Sequence, residues 1–212
     1  MQNPIIIFGA NYLGRIAKEI FEENEVVVYG FLDDNSQLHN TEIDDVMVLG
    51  STDDEAFLKL VGKKCESFVA VDDNRLRKSI TKMLNEERHA QPANAIHKKS
   101  SVSPRAEIGH GNLIDRSVIL GVGCKMGSHN ILNATSVVGV DTQLGDFVQV
   151  GAGCTIGHEV KIDDEVFIGA GTTIVSGIVI GKGARIGAGS VVIASVGAGD
   201  TVFGNPATKI KQ

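Results

Sequence analysis

The sequence predicts an α/β domain followed by an all-β domain: a small Rossmann-like unit and then a parallel β-helix of hexapeptide repeats. Two observations predict this division. From Val102 to Val192 an aliphatic residue returns at every sixth position. Before that stretch, short apolar runs alternate with helical patterns, which is typical of βαβ units. The crossover between them, which contains Pro92, marks the boundary, with domains at residues 1–96 and 97–212.

The repeat runs through sixteen consecutive slots without an insertion. Its sixth-position residues are Val102, Ile108, Ile114, Leu120, Met126, Leu132, Val138, Leu144, Val150, Ile156, Ile162, Ile168, Ile174, Ile180, Ile186 and Val192. Glycine directly follows ten of them, where the chain bends and where its backbone freedom avoids strain. Three six-residue segments form the three sides of one triangular coil, so residues 18 apart stack roughly 4.8 Å apart along a narrow prism. An antiparallel sandwich would instead show period-two alternation and regular turn signals.

The beginning of the chain predicts one βαβ unit with a glycine loop. Residues 5–8 read as a buried strand, Gly9 and Gly14 bracket the loop, and Asp33 and Asp34 follow the next strand at 26–31. Such a loop can receive a phosphate at the helix N-terminus, while an acid beyond the second strand meets a sugar or a base. The glycines bracket four residues, unlike the dinucleotide fingerprint, so a unit that binds nothing is the alternative. A strand at 46–49, a helix at about 54–61, a strand at 68–71 and a helix at about 75–87 complete a small parallel sheet.

Composition excludes several classes of function. The net charge of −6 argues against a general nucleic-acid surface, because phosphate binding requires a basic face. No apolar run approaches the roughly 18 residues of a membrane span, and no signal-peptide pattern is present, so we expect a cytoplasmic protein. Cys124 and Cys154 fall in a small inward slot of the repeat, where a free thiol behaves as a small hydrophobe. No metal-ligand spacing or disulfide framework is readable.

Six segments carry a resemblance to a known family. They are residues 7–15 (IFGANYLGR), 30–34 (GFLDD), 48–50 (VLG), 69–75 (VAVDDNR), 95–97 (AIH) and 204–207 (GNPA). On these segments the chain resembles the sugar O-/N-acyltransferases of the bacterial sialic acid and bacillosamine pathways, across essentially its whole length. The resemblance implies that the β-helix is left-handed and that it follows a Rossmann-like nucleotide-sugar-binding domain.

The resemblance also implies an activity and its partners. Members of the family use acetyl-CoA to acetylate a UDP- or GDP-linked amino sugar, and they form homotrimers packed through their β-helices. The implied substrate-binding residues are Gly9, Ala10, Asn11, Tyr12, Gly14, Asp33, Asp34 and Asn133. Ala170 and Ala188 lie 18 residues apart, each in the third slot of a hexapeptide whose aliphatic residue is the first slot. Both are small enough to line an acetyl-CoA channel between subunits. Lys182 and Lys209 are candidates for its phosphates, although a solvated surface lysine is the commoner explanation.

Acetyl transfer to an amine needs a base for the amine's proton and donors for the developing oxyanion. The family's base is a third-slot histidine followed by an acid, and this histidine corresponds to Val140 here, with the acid retained as Asp141. A second family histidine corresponds to Gln149. His158, followed by Glu159, occupies the third slot one coil later. We hypothesise that His158 is the base, with Glu159 or Asp141 nearby, and the alternative is an exposed edge residue.

The other histidines show no catalytic pattern. His110 and His129 are expected at the surface, and His97 in the crossover is expected to be structural. Three functions stay open: an acetyl-CoA-dependent acetyltransferase of a nucleotide-linked amino sugar, a catalytically impaired relative that only binds such a sugar or a partner enzyme, and a structural β-helix trimer. Val140 favours the second, whereas the retained Asp33, Asp34 and Asn133 argue against the third.

Overall fold

The computed structural model describes residues 3–210, and the chain divides into two compact units with the boundary between Lys98 and Lys99. The predicted boundary lies two residues earlier, between residues 96 and 97. Within residues 3–210, no helix combines the length and apolarity that a membrane crossing requires.

The N-terminal unit is a parallel sheet flanked by helices. The strands of this sheet are β1 (Ile5–Phe8), β2 (Val28–Leu32), β3 (Glu42–Ile43), β4 (Val46–Gly50) and β5 (Glu66–Val69), and the short strand β6 (Ala95–Ile96) lies outside it. Its helices are α1 (Tyr12–Glu23), α2 (Glu55–Leu58) and α3 (Asn74–Glu87), with a 3-10 turn at Ser36–Leu38. The main sheet has the order β3-β4-β2-β1-β5, and only the β3–β4 pair is antiparallel.

Local signals place these elements. Strand β1 is apolar and buried on both faces, as a central parallel strand should be. Each helix begins at an N-cap whose side chain accepts backbone amides of the first turn: Asn11 for α1, Asp54 for α2 and Asp73 for α3. On α1 the buried face of Leu13, Gly14, Ala17, Ile20 and Phe21 packs towards the sheet.

The structure corrects two predicted elements. The helix expected at about 54–61 is one turn long, because the amides of Leu60 and Val61 bond to carbonyls three residues back and the helical pattern ends. The sheet also carries the short antiparallel strand β3, which we did not predict. Its two-residue turn, Asp44 and Asp45, has positive φ values of 49° and 66°. Such turns match strand twist, but they are usually signalled by Asn-Gly or Asp-Gly.

The second unit is a parallel β-helix with three faces. The neutral face stacks β7 (Ser101–Val102), β10 (Ile119–Leu120), β13 (Val137–Val138), β16 (Thr155–Ile156), β19 (Thr173–Ile174) and β22 (Val191–Val192). The charged face stacks β8 (Glu107–Ile108), β11 (Lys125–Met126), β14 (Gln143–Leu144), β17 (Lys161–Ile162) and β20 (Val179–Ile180). The third face stacks β9 (Leu113–Ile114), β12 (Ile131–Leu132), β15 (Gln149–Val150), β18 (Phe167–Ile168) and β21 (Arg185–Ile186), and it continues into the antiparallel pair β23 (Thr201–Gly204) and β24 (Ala207–Lys209).

The predicted register of the prism is confirmed. Every sixth-position residue from Ile114 to Val192 is buried, and only Val102 and Ile108 of the first coil are partly exposed. Strand partners are 18 residues apart, as in the pair Leu120 and Val138. The thiols of Cys124 and Cys154 lie inside, and burial raises the pKa of both. The repeat therefore fixes which side chains are available to bind a ligand.

Candidate active site

Third-slot residues of the hexapeptides stack along three edges of the prism, because the bends between faces repeat every 18 residues. The histidine edge consists of Val122, Val140, His158 and Ser176. The acidic edge consists of His110, Ser128, Asp146, Asp164 and Lys182. The alanine edge consists of Arg116, Ala134, Ala152, Ala170 and Ala188.

A hydrogen bond between successive coils recurs along these edges. A third-slot side chain accepts the backbone N–H of the third-slot residue 18 positions earlier. On the acidic edge, Asp146 Oδ1 accepts from Ser128 at 2.7 Å and Asp164 Oδ1 from Asp146 at 3.0 Å. The same bond places His158, whose Nδ1 accepts from the Val140 amide at 3.0 Å. His158 in turn donates its own amide to Ser176 Oγ at 2.9 Å.

The bond from Val140 decides the state of the His158 ring. A nitrogen that accepts a hydrogen bond must present its lone pair, so the neutral imidazole carries its proton on the other nitrogen, Nε2. The side chain is exposed, and Nε2 is the ring nitrogen left for a ligand. In this arrangement His158 offers a donor on its outer side.

The two acids predicted beside His158 follow the same bend. Asp141 and Glu159 each occupy the fourth slot in the left-handed region, with φ of 55°. The Asp141 carboxylate folds back over Gly123, where an added Cβ would overlap Oδ1. Among the described residues, neither carboxylate makes a hydrogen bond or an ion pair with His158. The assignment of His158 as base with an orienting acid stays a prediction.

The alanine edge holds the residues predicted to line an acetyl-CoA channel. Ala170 and Ala188 are both exposed, and alanine has no side-chain atom that could accept the amide below it. Within the described chain, their backbone N–H groups take part in no hydrogen bond. Asn133 begins the same bend, and its Nδ2 donates to the Val150 carbonyl at 2.9 Å. Around Ala170 and Ala188, the alanine edge therefore presents small side chains and two backbone N–H groups that are available to a ligand.

The two lysines proposed for the CoA phosphates already have acidic partners. Lys182 Nζ lies 3.4 Å from Glu165 and 3.8 Å from Asp164 on the acidic edge. Lys209 Nζ lies 2.6 Å from Asp200. The prediction that they contact CoA stays open, but each would have to leave or share a carboxylate.

The glycine loop of the N-terminal unit leaves two amides free for a ligand. Ala10 donates its N–H to Asp33 Oδ2 at 2.8 Å, and Asn11 caps the amides of Leu13 and Gly14. The N–H groups of Asn11 and Tyr12 make no hydrogen bond within residues 3–210. Because they lie at the N-terminus of α1, they form a small anion-binding position.

Glycine is required in this loop by close contacts. Gly9 has φ of +106°, and a Cβ there would lie 2.5 Å from the Ala70 carbonyl oxygen. At Gly14 a Cβ would overlap the Gly9 carbonyl oxygen. The loop is thus pressed against the end of β5, which explains the observed spacing of the two glycines.

Asp33 and Asp34 hold neighbouring loops together. Besides Ala10, the Asp33 carboxylate accepts the Asn35 amide at 2.9 Å. Asp34 Oδ1 accepts both the amide and the hydroxyl of Thr52, at 2.9 and 2.8 Å. Contact with a nucleotide stays a prediction for both acids, and their internal bonds give each a second, structural role.

One buried group near the loop was missed by the sequence interpretation. Arg77 of α3 is fully buried, donates from Nη1 to the Val71 carbonyl at 2.5 Å, and has its pKa lowered by burial to about 10. Tyr12 has a pKa raised to about 12, first by burial and then by its hydrogen bond to Asp72. The available signal was a cation on the apolar face shared with Ile80 and Leu84.

Three further histidines, His97, His110 and His129, lie in different environments. His110 is exposed, as expected. The expectation that His129 is a surface residue is wrong: it is 9% exposed and stacks on Phe147 with ring centroids 4.9 Å apart. Fourth-slot side chains of successive coils lie one above another, which the assignment to a surface slot overlooked. His97 is buried, and its Nε2 lies 3.4 Å from Glu23 Oε2.

Within one chain the predicted site residues lie on different edges. His158, Asp141 and Glu159 share the histidine edge, the alanines and Asn133 the alanine edge, and Lys182 the acidic edge. The prism separates these edges, so one copy of the β-helix does not bring the predicted groups together.

Comparison with known proteins supplies family descriptions for both units. Residues 4–84 match the PglD N-terminal domain, residues 81–176 the GMPPB C-terminal domain, and residues 160–194 the bacterial transferase hexapeptide (six repeats). A search of curated protein sequences gives no significant match.

Solved structures match over both units. The acetyltransferase domain of PglB from Neisseria gonorrhoeae is 27% identical with a TM-score of 0.91, and the match covers 99% of this chain and 100% of that one. WeeI from Acinetobacter baumannii is 28% identical with a TM-score of 0.88, covering 98% and 99%. Both units of the chain are similar to those of the sugar acyltransferases with a left-handed β-helix. A mutant GDP-perosamine N-acetyltransferase from Caulobacter crescentus, at 24% identity, TM-score 0.91 and coverage of 100% and 99%, shares the fold of this chain.

Proposed function

We propose that this protein transfers an acetyl group from acetyl-CoA to the amine of a nucleotide-linked sugar. The observation that carries the proposal is the match to the PglB acetyltransferase domain solved with acetyl coenzyme A. That match is 26% identical, has a TM-score of 0.90, and covers 99% of this chain and 100% of that one. Because this match covers both units, it supports the proposal that both units take part in the same kind of reaction as in the PglB domain.

The alanine edge fits the pantetheine arm of acetyl-CoA. The side chains of Ala152, Ala170 and Ala188 are small and exposed, and Cβ atoms added at Gly171 or Gly189 would meet nothing within 4 Å. The free N–H groups of Ala170 and Ala188 can donate to the amide carbonyls of such an arm. Apolar surface with a few placed donors is what a small-molecule site offers.

The glycine loop fits the phosphates of a nucleotide sugar. The free amides of Asn11 and Tyr12 lie at the N-terminus of a 12-residue helix, which favours an anion. With the chain's net charge of −6, the anion has to be held by such local donors. We infer a UDP- or GDP-linked amino sugar as the substrate.

The neutral face supports a homotrimer packed through the β-helices. Its outward residues carry no charge: Ser101, Ile119, Val137, Thr155, Thr173 and Val191. Exposed apolar side chains lie on this face or beside it, among them Ile119 at 44%, Val175 at 37% and Ile193 at 56%. An uncharged face with exposed apolar side chains indicates a protein contact. A second copy packed there could place its alanine edge opposite the histidine edge of the first.

A non-catalytic role is the second candidate, and Val140 favours it. Val140 cannot act as the base that the resemblance places at its position. A protein of this kind would bind the nucleotide sugar or a partner enzyme without turnover. The cytoplasmic location inferred from the sequence stays a prediction.

The test is incubation of the purified protein with acetyl-CoA and a panel of UDP- and GDP-linked amino sugars, with free thiol followed over time. We expect thiol release with one amino sugar and none with the matched sugar that carries a hydroxyl in place of the amine. Release without an acceptor would indicate hydrolysis and contradict the proposal. If the protein is inactive and Val140→His restores turnover, the non-catalytic role is correct.

A further inference from the structure

His158 has one ring nitrogen turned towards the protein backbone and one turned outwards. Nδ1 accepts the Val140 amide at 3.0 Å, and the backbone N–H of His158 donates to Ser176 Oγ at 2.9 Å. These two bonds hold the residue from both sides along the edge. The ring is therefore fixed in one orientation with its proton on Nε2.

We propose that His158 acts as a hydrogen-bond donor to the acyl carbonyl oxygen, through Nε2–H, and not as the general base. This inference rests on the proposed acetyl transfer. A base that uses Nε2 must present a lone pair there and move its proton to Nδ1. The Val140 N–H already points at Nδ1, so that tautomer would bring two N–H groups together.

The surroundings of His158 agree with a donor. A histidine base is usually oriented by an acid that accepts from its second nitrogen. Here the partner of the second nitrogen is a backbone donor, and the Asp141 carboxylate folds towards Gly123 instead. The third-slot neighbours below, Val122 and Val140, are apolar and are 48% and 37% exposed. When an apolar surface and a ligand exclude water, a fixed N–H stabilises an oxyanion more strongly than it would in water.

The reaction balances without a protein base. The neutral amine of the sugar forms the new C–N bond at the thioester carbon, and the carbonyl oxygen takes up negative charge next to His158 Nε2–H. The C–S bond then breaks, the carbonyl re-forms, and CoA leaves as a thiolate. The proton lost by the amine nitrogen passes to that sulfur and gives the free thiol.

A structural role must be separated from this one, because capping by a third-slot side chain is common on the β-helix. Ser128 Oγ accepts the His110 amide at 3.1 Å on the acidic edge, where we assign no chemistry. Two variants of His158 divide the functions of the ring. His158→Asn keeps an acceptor at the position of Nδ1 and lacks an atom at that of Nε2. His158→Gln can place an amide N–H near the position of Nε2, but an amide is not a base.

The experiment is carbon-13 NMR of [1-¹³C]acetyl-CoA bound to the wild type and to both variants, without sugar. We expect the carbonyl signal to move downfield on the wild type and on His158→Gln, and to stay near its free position on His158→Asn. With an active sugar, His158→Asn should lose about 10²–10³-fold in kcat, the cost of one oxyanion donor. His158→Gln should keep most of the wild-type kcat.

Each other result has a definite meaning. If acetyl-CoA binds and its carbonyl signal is the same on wild type and His158→Asn, the donor role is wrong while the proposed function stands. Equal loss of kcat in both variants would assign His158 as the base. If acetyl-CoA does not bind to the wild type at all, the proposed function fails and the donor role fails with it. Equal melting temperatures of the three proteins exclude unfolding as the cause.

Discussion

The histidine edge and the acidic edge share one backbone and differ in chemistry. On both, a third-slot side chain accepts an amide from the coil below, at 3.0 Å for His158 and for Asp164. The acidic edge uses oxygen acceptors and surrounds them with ion pairs such as that of Lys182 with Glu165. The histidine edge places valines below the ring. The repeat thus supplies a rigid frame, and single third-slot residues decide which edge can carry chemistry.

The largest effect should come from breaking the frame that both edges share. Ile168 is fully buried in the prism, and a charge there should cost several kcal/mol. We expect Ile168→Asp to be insoluble. Gln143→Asp on the charged face is the control, because its strand neighbours are Lys125 and Lys161. A soluble Ile168→Asp with an unchanged melting temperature would contradict the register.

The next test compares the two edges in catalysis. His158→Ala removes the ring and should lower turnover by about 10²–10⁴-fold, whether the ring serves as base or as donor. Ser128→Ala removes a cap of the same kind from the acidic edge and should leave turnover unchanged. Steady-state kinetics with acetyl-CoA and the active sugar measure both. Unchanged activity in His158→Ala would leave the histidine edge without a catalytic role.

Assembly should depend on the neutral face. Ile119 is 44% exposed, and Ile119→Glu would place a carboxylate on a face whose outward residues carry no charge. We expect this variant to sediment as a monomer where the wild type sediments as a trimer. The matched control is Lys125→Glu on the charged face, which should stay trimeric. A wild-type protein that sediments as a monomer at all concentrations would contradict the predicted trimer.

The smallest effect should come from the cap of His158. Ser176→Ala removes the oxygen that accepts the His158 amide. A hydrogen bond of this kind contributes about 0.5–1.5 kcal/mol to the free energy of unfolding. Denaturant unfolding should show a loss within that range, and Asp164→Ala on the acidic edge should lose a similar amount. A much larger loss in Ser176→Ala would show that the histidine edge also carries part of the stability.

Most of the fold could be predicted because the repeat encodes it locally. An aliphatic residue at each sixth position leaves one register in which the prism is dry, and the buried residues from Ile114 to Val192 confirm it. In the N-terminal unit, the glycine loop and the strand β1 were also predicted. The one-turn α2 and the strand β3 were not, because the bonds that end or pair them depend on contacts outside any periodic pattern.

The candidate site was predictable only as a set of residues. Counting in steps of 18 placed His158 above Val140 and Ala188 above Ala170, and both stacks follow from strand pairing in the structure. Counting also assigned His129 to the surface, whereas its ring stacks on Phe147. Slot numbers give the position of a Cα atom, but the direction of a side chain depends on its neighbours.

The sequence by itself determined the two-part architecture, the register of the prism and the resemblance to the family, because these follow from spacing and from short motifs. Only the tertiary structure decided which nitrogen of His158 is free, where the Asp141 carboxylate points and which loop amides have no partner. Each of these depends on a hydrogen bond or a contact between residues that are neighbours in space. The bond that orients His158 joins its ring to the backbone of Val140 one coil away, and the spacing of residues does not record which ring nitrogen makes it.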